Sequence, residues 1–157
     1  MKVLIIGGTR FLGRALVDSA LARGHDVTLF NRGQSNPDLF PQVEKLRGNR
    51  ENEADLGVLA GRRWDVVIDT CGYVPRHVRN TAKRLADQVD RYIFISTISV
   101  YSDSRTPGQD ETASLGMLQD DSTEEITGET YGPLKVLCER AAEGALPGRT
   151  LIIRPGL

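Results

Sequence analysis

The first 33 residues constrain the fold more than any other part of the chain. They begin with a short apolar run at 2–6, pass through the glycine-rich turn GGTRFLG at 7–13, and then show apolar residues at helical spacing up to Gly24. A second apolar run, DVTLF, follows at 26–30. A strand, a tight turn, a helix at 11–23 that stops at a glycine, and another strand together predict a β-α-β unit with parallel strands.

The rest of the chain repeats this alternation of strand-length and helix-length segments. Further strands are predicted at 43–47, 64–70, 91–96 and 150–154, and helices at 54–59, 76–88 and 131–145. Continuous Val, Ile and Leu runs are typical of strands that are buried on both faces. We therefore predict an α/β fold, a doubly wound parallel sheet (Rossmann fold) of about six strands with helices on both faces.

The glycine turn predicts a binding site for a pyrophosphate. Glycine permits the tight turn, and the N-terminus of the following helix offers free N–H groups and a positive dipole end. We assign this role to the seven residues of the turn, Gly7, Gly8, Thr9, Arg10, Phe11, Leu12 and Gly13. The motif has the strand–turn–helix context that it requires. The alternative is a glycine-rich turn that binds no ligand.

The residues after the second strand indicate which dinucleotide would bind. Sites for NAD usually place an acidic residue there, which binds the ribose 2′-hydroxyl. Here Asn31, Arg32 and Gly33 follow the strand, and Arg10 leaves the glycine turn on the same side. Two guanidinium groups suit a 2′-phosphate because arginine pairs bidentately with phosphate oxygens. The sequence thus predicts NADP(H) rather than NAD(H), the alternative being two solvated surface charges.

Four motifs, in order along the chain, resemble one superfamily. They are GGTRFLG at 7–13, STISVYS at 96–102, YGPLK at 131–135 and IRPG at 153–156. Over essentially its whole length the chain resembles the extended short-chain dehydrogenases/reductases, the NAD(P)-dependent epimerase/dehydratase family. Together with DTCGY at 69–73, the residues of these motifs most resemble those of the bacterial relatives of chloroplast stem-loop-binding proteins. These proteins have been linked to RNA.

The resemblance implies a catalytic set of a tyrosine, a lysine and a hydroxyl residue. Tyr131 would be the acid/base, and Lys135, four residues further on the same helix face, would assist it and hold the nicotinamide ribose. The family's hydroxyl lies four residues before the tyrosine of its VY pair, which gives Thr97. Ser96 and Ser99 are the alternatives, and strand alternation does not exclude Ser99. A surface tyrosine and lysine on a helix are the other interpretation.

Other positions carry weaker signals. Thr70, Cys71 and Gly72 follow the fourth strand, at the end of the sheet where doubly wound folds bind ligands, so we expect them to line the cofactor channel. Cys71 has no histidine placed beside it by the sequence, which favours a structural residue over a nucleophile. In the family an acid after the third strand often lies near the adenine. Asn49 stands there instead, and an amide can still hydrogen-bond adenine.

The composition limits the domain organisation and the cellular compartment that we expect for this chain. Hydrophobic residues make up 39% and charged residues 26% of the 157 residues, as in one globular domain. No apolar run is long enough to cross a membrane. Cys71 and Cys138 match no metal or redox spacing, which favours a reducing cytoplasm. Because the chain stops directly after the sixth predicted strand, we expect 1–157 to be an NAD(P)-binding domain with its C-terminal substrate domain absent or truncated.

Two functions are consistent with these features. The first is an NADP-dependent oxidoreductase or epimerase that transfers a hydride to or from a carbonyl or carbinol substrate such as a nucleotide-sugar. The second is an NADP-binding regulatory or RNA-associated protein without turnover. The complete Thr/Tyr/Lys set favours the first. The net charge of −1 argues against RNA, because nucleic-acid binding usually needs a basic face.

Two further segments bear on partners. Residues 102–130 lack periodicity and hold eight acidic residues and one arginine, which predicts a lid, a binding loop or a solvated loop. The helices at 76–88 and 131–145 are the pair through which many family members dimerise. Their apolar residues would either form a homodimer interface or cover the sheet; the residues concerned are Val78, Leu85, Val89, Val136 and Leu137.

Overall fold

The computed structural model describes residues 1–103 and 105–156, and its core is one sheet of six parallel strands. The strands are β1 (Lys2–Ile6), β2 (Asp26–Asn31), β3 (Glu44–Arg47), β4 (Trp64–Asp69), β5 (Val89–Ile95) and β6 (Thr150–Ile153). They lie in the order β3-β2-β1-β4-β5-β6. The direction of winding reverses between β1 and β4, and doubly wound sheets bind their ligands at this point.

Three α-helices and two short 3₁₀ helices connect the strands. They are α1 (Phe11–Ala22), α2 (Pro75–Leu85), α3 (Tyr131–Ala145) and the 3₁₀ helices Asp55–Leu59 and Ile98–Val100. Among the described residues, none of these helices is both long and apolar enough to cross a membrane. The predicted Rossmann fold is confirmed.

The predicted element boundaries were wrong in two places. The helix expected at 54–59 is a 3₁₀ helix, because the chain turns extended at Ala60 after little more than one turn. The helix α2 ends three residues early and β5 starts two residues early. The reason is Val89, which pairs with Trp64 and is buried in the core, so the strand begins there.

The two faces of the sheet have separate cores. In β1, Leu4 and Ile6 point into the core that α2 and α3 cover. Val3 and Ile5 point the other way, into the core that contains Val17 of α1. This explains why the strands are continuous apolar runs and do not alternate with polar residues. It also leaves the carboxyl edge of the sheet as the place where polar side chains collect.

Four of the five residues nominated for a homodimer interface are buried within the chain. Val78 and Leu85 are fully buried within the chain, and Val89 and Val136 are 2% exposed. They therefore offer no apolar surface to a second copy. Leu137 is half-buried, in a groove between α2 and α3 that also contains Arg79 and other basic side chains. Homodimerisation stays a prediction, without these four buried residues as its interface.

The described part of the acidic segment 102–130 contacts the rest of the chain at several points. Near its start, Tyr101 forms an antiparallel bridge with Leu115. Further along, the carboxylate of Glu124 accepts two hydrogen bonds from the Arg76 guanidinium at the start of α2, at 2.8 and 2.9 Å. Both side chains of this ion pair are about half exposed, so it adds little stability.

Candidate dinucleotide-binding site

A cavity of about 480 Å³ opens at the carboxyl edge of the sheet, over the switch point between β1 and β4. Its walls come from the glycine turn at 7–13, the ends of β2 and β3, and the residues that follow β4 and β5. Tyr131 and Lys135 of α3 close one end, and Arg32 and Gln34 close the other. One cavity therefore joins most of the residues that the sequence nominated.

The glycine turn has the backbone that only glycine adopts readily. Gly7 and Gly8 have φ angles of +101° and +86°. A side chain at Gly7 would collide with the Thr70 hydroxyl, and a Cβ at Gly8 would lie 2.7 Å from Leu29 Cδ2. At Gly13, a Cβ would lie 3.0 Å from Gly8 Cα. The turn is therefore as tight as backbone atoms allow.

The first amide groups of α1 face this cavity. No side chain caps the helix in the described structure, and residues 8–13 all line the cavity wall. An uncapped helix start directs N–H groups and a positive partial charge at whatever occupies the cavity. These features fit a pyrophosphate, the group that the sequence predicts here.

Asn31, at the end of β2, holds the turn together. Its Nδ2 donates to the Gly7 carbonyl at 2.8 Å, and its Oδ1 accepts from the Gly33 amide at 2.9 Å and from the Arg47 guanidinium. Asn31 borders the cavity, as predicted, but its side chain is engaged with the protein. The position that often carries an acid is thus filled by a neutral residue that braces the glycine turn.

Arg10, in the glycine turn, and Arg32, after β2, both border the cavity. Both side chains are exposed, and within the described residues neither forms an ion pair or a side-chain hydrogen bond. Both guanidinium groups are therefore available to a ligand, and among the described residues Glu51 is the one that brings a carboxylate to the cavity lining.

The floor of the cavity holds an ion pair that the sequence analysis missed. Arg50 donates to both carboxylate oxygens of Asp69, at 2.7 and 2.8 Å, and Asp69 is fully buried. The Tyr92 hydroxyl and the Cys71 amide also donate to this carboxylate. Burial on its own would raise the pKa of Asp69, but Arg50 and these donors together hold the pKa below its ordinary value. The available signal was a carboxylate in the apolar run WDVVID, which must find a partner.

Asn49 lies beside this ion pair and is partly committed. Its backbone amide donates to Asp55 Oδ2 at 2.7 Å, and its side-chain oxygen accepts from the Glu51 amide. It borders the cavity, so its side-chain NH₂ group remains for a ligand, and the predicted adenine contact stays a prediction.

Lys135 connects the ends of two strands beneath the cavity. Its ammonium donates to the carbonyls of Gly72 and Ile95, both at 2.8 Å, and lies 4.2 Å from the centroid of the Phe94 ring. The residue is 3% exposed, and this burial lowers the pKa of the ammonium below its ordinary value. An ammonium has three N–H donors, so one remains for a ligand or for Tyr131.

Tyr131 begins α3 at the edge of the cavity. It is half-buried, and its ring centroid lies 6.5 Å from that of Tyr73. The next residue, Gly132, has no side chain because one would collide with the Ser99 carbonyl. Glycine therefore lets the start of α3 approach the segment after β5, and this brings Tyr131 to the cavity.

Of the two adjacent hydroxyl residues after β5, the structure places Ser96 and not Thr97 on the cavity wall. Thr97 is the N-cap of the 3₁₀ helix Ile98–Val100: its Oγ1 accepts from the Ser99 amide and donates to the Ser99 hydroxyl, both at 3.1 Å. The predicted catalytic hydroxyl is thus engaged in a turn.

The three residues after β4 serve different purposes. The Thr70 hydroxyl donates to the Ile6 carbonyl at 2.8 Å and so ties β4 to β1. Cys71 lines the cavity, but burial raises the pKa of its thiol, which agrees with a structural rather than a nucleophilic cysteine. Gly72 lies behind the wall, where a Cβ would come within 2.5 Å of Phe94, and its carbonyl accepts from Lys135.

Two further motif residues meet away from the cavity. Arg154 of the IRPG motif donates to both carboxylate oxygens of Glu139 on α3, at 3.0 and 2.7 Å, and to the Tyr101 hydroxyl at 3.1 Å. Glu139 is 4% exposed. This cluster fixes α3 against β6 and against the segment after β5, and so it supports the placement of Tyr131 and Lys135.

A parallel sheet whose switch point carries a glycine turn, an uncapped helix start and a long cavity defines a dinucleotide-binding Rossmann domain. The family model described as NAD(P)H-binding matches residues 7–126, and the chain belongs to this family. The prediction of a nicotinamide dinucleotide as the cofactor is thereby confirmed.

Curated relatives match parts of the chain. The chloroplast stem-loop binding protein of 41 kDa b from Arabidopsis thaliana is 32% identical over 114 residues, which are 64% of this chain and 30% of that protein. A 3β-hydroxysteroid dehydrogenase/Δ5→4-isomerase from Mycobacterium tuberculosis is 36% identical over 73 residues, 46% of this chain and 20% of that protein. The resemblance to the stem-loop-binding proteins is confirmed. The chain spans less than a third of the length of these relatives.

Solved structures share the fold over nearly the whole chain. The UDP-Glc/GlcNAc 4-epimerase from Campylobacter jejuni superposes with a TM-score of 0.78 at 19% identity, over 98% of this chain and 52% of that one. The UDP-glucose 4-epimerase from Thermotoga maritima gives a TM-score of 0.79 at 17% identity, over 98% of this chain and 55% of that one. At this level of identity the likeness concerns the fold alone.

Proposed function

We propose that this chain is the NADP(H)-binding domain of an oxidoreductase or epimerase that acts on a carbonyl or carbinol carbon, such as that of a nucleotide-sugar. One observation carries the proposal: a single cavity is lined both by Tyr131 and the buried Lys135 and by two arginines that have no side-chain partner in the described structure. Arg32 follows β2, and Arg10 belongs to the glycine turn. The length of the cavity, from the end of β2 to α3, suits a ligand with two nucleotide halves joined at the glycine turn.

The arginines support a preference for NADP(H). A 2′-phosphate at the end of β2 would find Arg32 without a side-chain partner in the described structure, and Arg10 of the glycine turn is a second unpaired cation on the same cavity. Asn31, in contrast, has no carboxylate to accept a bond from a 2′-hydroxyl. A dinucleotide without the phosphate would leave both guanidinium groups in solvent. The charge at this end therefore favours the phosphorylated form.

At the other end, Tyr131 would exchange a proton with the substrate oxygen, and Lys135 would support it. Lys135 is fixed by two backbone carbonyls, so its remaining N–H has a defined direction. The nicotinamide, when bound, accepts or donates the hydride. The motif position assigns the hydroxyl that orients the substrate oxygen to Thr97, which would have to redirect the hydrogen bond that it donates to Ser99 in the described structure.

Titration with NADPH and with NADH tests this proposal, using Arg10→Ala and Arg32→Ala beside the unchanged chain. We expect NADPH to bind at least tenfold more tightly than NADH, and each variant to reduce this preference about tenfold, as for the loss of a hydrogen bond to a charged group. Arg14→Ala is the matched control, because Arg14 is exposed on α1 and does not line the cavity. Equal affinity for the two dinucleotides, or an equal effect of the control, would contradict the proposal.

The charge distribution favours a second candidate, an RNA-associated binding domain. Residues 102–130 hold eight of the 21 acidic residues and one of the 20 basic residues, so the remainder of the chain is basic. Helix α2 has no acidic residue and exposes four basic side chains, Arg76, Arg79, Lys83 and Arg84. The net charge of −1 therefore argues only weakly against RNA binding, because the acidic residues are concentrated in one segment. Binding of an RNA stem-loop that weakens steeply with salt would support this candidate.

A further inference from the structure

Ser96 has a buried hydroxyl for which the described structure provides no partner. The residue is 6% exposed, and its Oγ makes no hydrogen bond within residues 1–103 and 105–156. Its backbone is fixed, because its amide donates to the Ile153 carbonyl at 2.7 Å and so extends the pairing of β5 with β6. A buried hydroxyl without a partner destabilises the fold, so such a group is expected to have a partner in the functional state.

The position of Ser96 indicates where that partner lies. Ser96 lines the cavity together with Ile95, Tyr131, Lys135 and Pro155. By strand alternation its side chain points to the same side of the sheet as that of Phe94, against which the Lys135 ammonium packs. A serine hydroxyl is re-aimed by rotation about one bond, so a ligand at this end of the cavity is within its reach.

The course of a bound dinucleotide determines which part would meet Ser96. With the pyrophosphate on the glycine turn, one nucleotide half extends towards Arg32 after β2, and the other extends over β4 towards β5 and α3. The second half carries the nicotinamide if Tyr131 is to act beside it. This step rests on the proposed function.

We infer that Ser96 hydrogen-bonds the nicotinamide half of the bound dinucleotide, while its neighbour Thr97 holds the 3₁₀ turn. The two hydroxyls therefore divide the work: one caps a turn through Ser99, and the other is left free for the ligand. Ser96 is a binding residue in this assignment and takes no part in proton transfer. The ligand group is a polar one, the carboxamide or a ribose hydroxyl, because each can both donate to and accept from a serine.

Two ligands separate this contact from the rest of the site. NADPH contains both halves, whereas 2′,5′-ADP contains only the adenine half with its 2′-phosphate. For Ser96→Ala we expect the Kd for NADPH to rise about fivefold to tenfold, the effect of one lost hydrogen bond, and the Kd for 2′,5′-ADP to stay within about twofold. Without ligand, the variant should melt at the same temperature as the unchanged chain or higher, because it loses a buried hydroxyl that has no partner.

Thr97→Val is the matched control. It removes the neighbouring hydroxyl, keeps the shape of the side chain and breaks the cap of the 3₁₀ helix, so we expect a lower melting temperature and a smaller change in NADPH affinity than for Ser96→Ala. Ser96→Ala is thus expected to weaken NADPH binding without lowering the melting temperature, and Thr97→Val is expected mainly to lower the melting temperature. A purely structural role of Ser96 would not produce this combination.

Four results would overturn the inference. They are unchanged NADPH affinity in Ser96→Ala, an equal loss of both ligands in that variant, a melting temperature lowered by that substitution, and a larger NADPH effect in Thr97→Val. Failure of the proposed function is recognised separately, since the unchanged chain would then bind neither ligand. Binding of 2′,5′-ADP without any added affinity for NADPH would leave the phosphate site standing and overturn the Ser96 contact.

Discussion

The buried pair of Arg50 and Asp69 gives the sharpest prediction for stability. Arg50→Met keeps most of the side-chain length but removes the charge, which leaves the fully buried Asp69 carboxylate with two neutral donors, from Tyr92 and Cys71. Breaking a buried pair by removing one partner costs about 3–5 kcal/mol. We expect this loss in the free energy of unfolding, measured by urea denaturation at pH 7. The control is Arg62→Met, whose exposed pair with Glu44 should be worth less than about 1 kcal/mol.

The same variant has a defined pH dependence. In the unchanged protein the pKa of Asp69 is lower in the folded state than its ordinary 3.8, so its contribution to stability is present above that pH and is lost as the pH falls through the folded value. Without Arg50, burial is no longer offset and the pKa of Asp69 rises above its unfolded value. The folded variant then holds a proton that the unfolded chain has released, so the stability of the variant falls as the pH rises through this window.

The loss in the free energy of unfolding that Arg50→Met causes, relative to the unchanged protein at the same pH, should therefore be smaller at pH 4.5 than at pH 7. The double variant Arg50→Met/Asp69→Asn should recover part of the loss at pH 7, because no buried charge remains. This account of the pair would be refuted if Arg50→Met and the Arg62→Met control lost the same free energy of unfolding. It would also be refuted if the loss in Arg50→Met were the same at both pH values.

Two other substitutions test the site and its support. Gly7→Ala should destabilise the fold by about 1–3 kcal/mol through its positive φ and should abolish NADPH binding in a titration, because the new methyl group collides with a hydroxyl beside the turn. Gly61→Ala, with a similar φ but open space around its Cβ, should keep full NADPH affinity; an equal loss there would contradict the steric argument. Arg154→Met should lower the free energy of unfolding by about 3 kcal/mol, because it leaves the buried Glu139 carboxylate without its charged partner. Arg63→Met, which breaks a fully exposed pair, should cost less than about 1 kcal/mol in the same urea titration, and equal costs would show that burial of Glu139 is not the cause.

Much of the fold was predictable because its signals are local. Apolar runs of strand length, helical spacing and the glycine after α1 act over a few residues, and they predicted all six strands and all three α-helices. The glycine turn was predictable for the same reason, since both its tight geometry and the helix that follows are encoded in one continuous stretch, residues 7–22. The errors lay at boundaries, where Val89 joined β5 because of its burial in the core and not because of any neighbouring residue.

The site was predictable only in part. The sequence selected most of the residues that line the cavity, because ligand contacts in this fold occur at strand ends and these follow the apolar runs. It missed Arg50, which follows β3 and meets Asp69 at the end of β4, 19 residues away. Their pairing depends on how the sheet brings these two ends together. Likewise, Asn31 was assigned to the ligand, whereas its side chain braces Gly7 and accepts from Arg47.

The sequence by itself therefore determined the order of the elements, the glycine turn, the absence of an acid after β2 and the common helix face of Tyr131 and Lys135. Each of these follows from residue types at short spacing. Only the tertiary structure decided which of the adjacent hydroxyls Ser96 and Thr97 faces the cavity. The amide of Ser96 still pairs with Ile153, but the chain then leaves the sheet and enters a 3₁₀ helix. Strand alternation therefore ends after Ser96, and the direction of the Thr97 side chain depends on its bonds to Ser99.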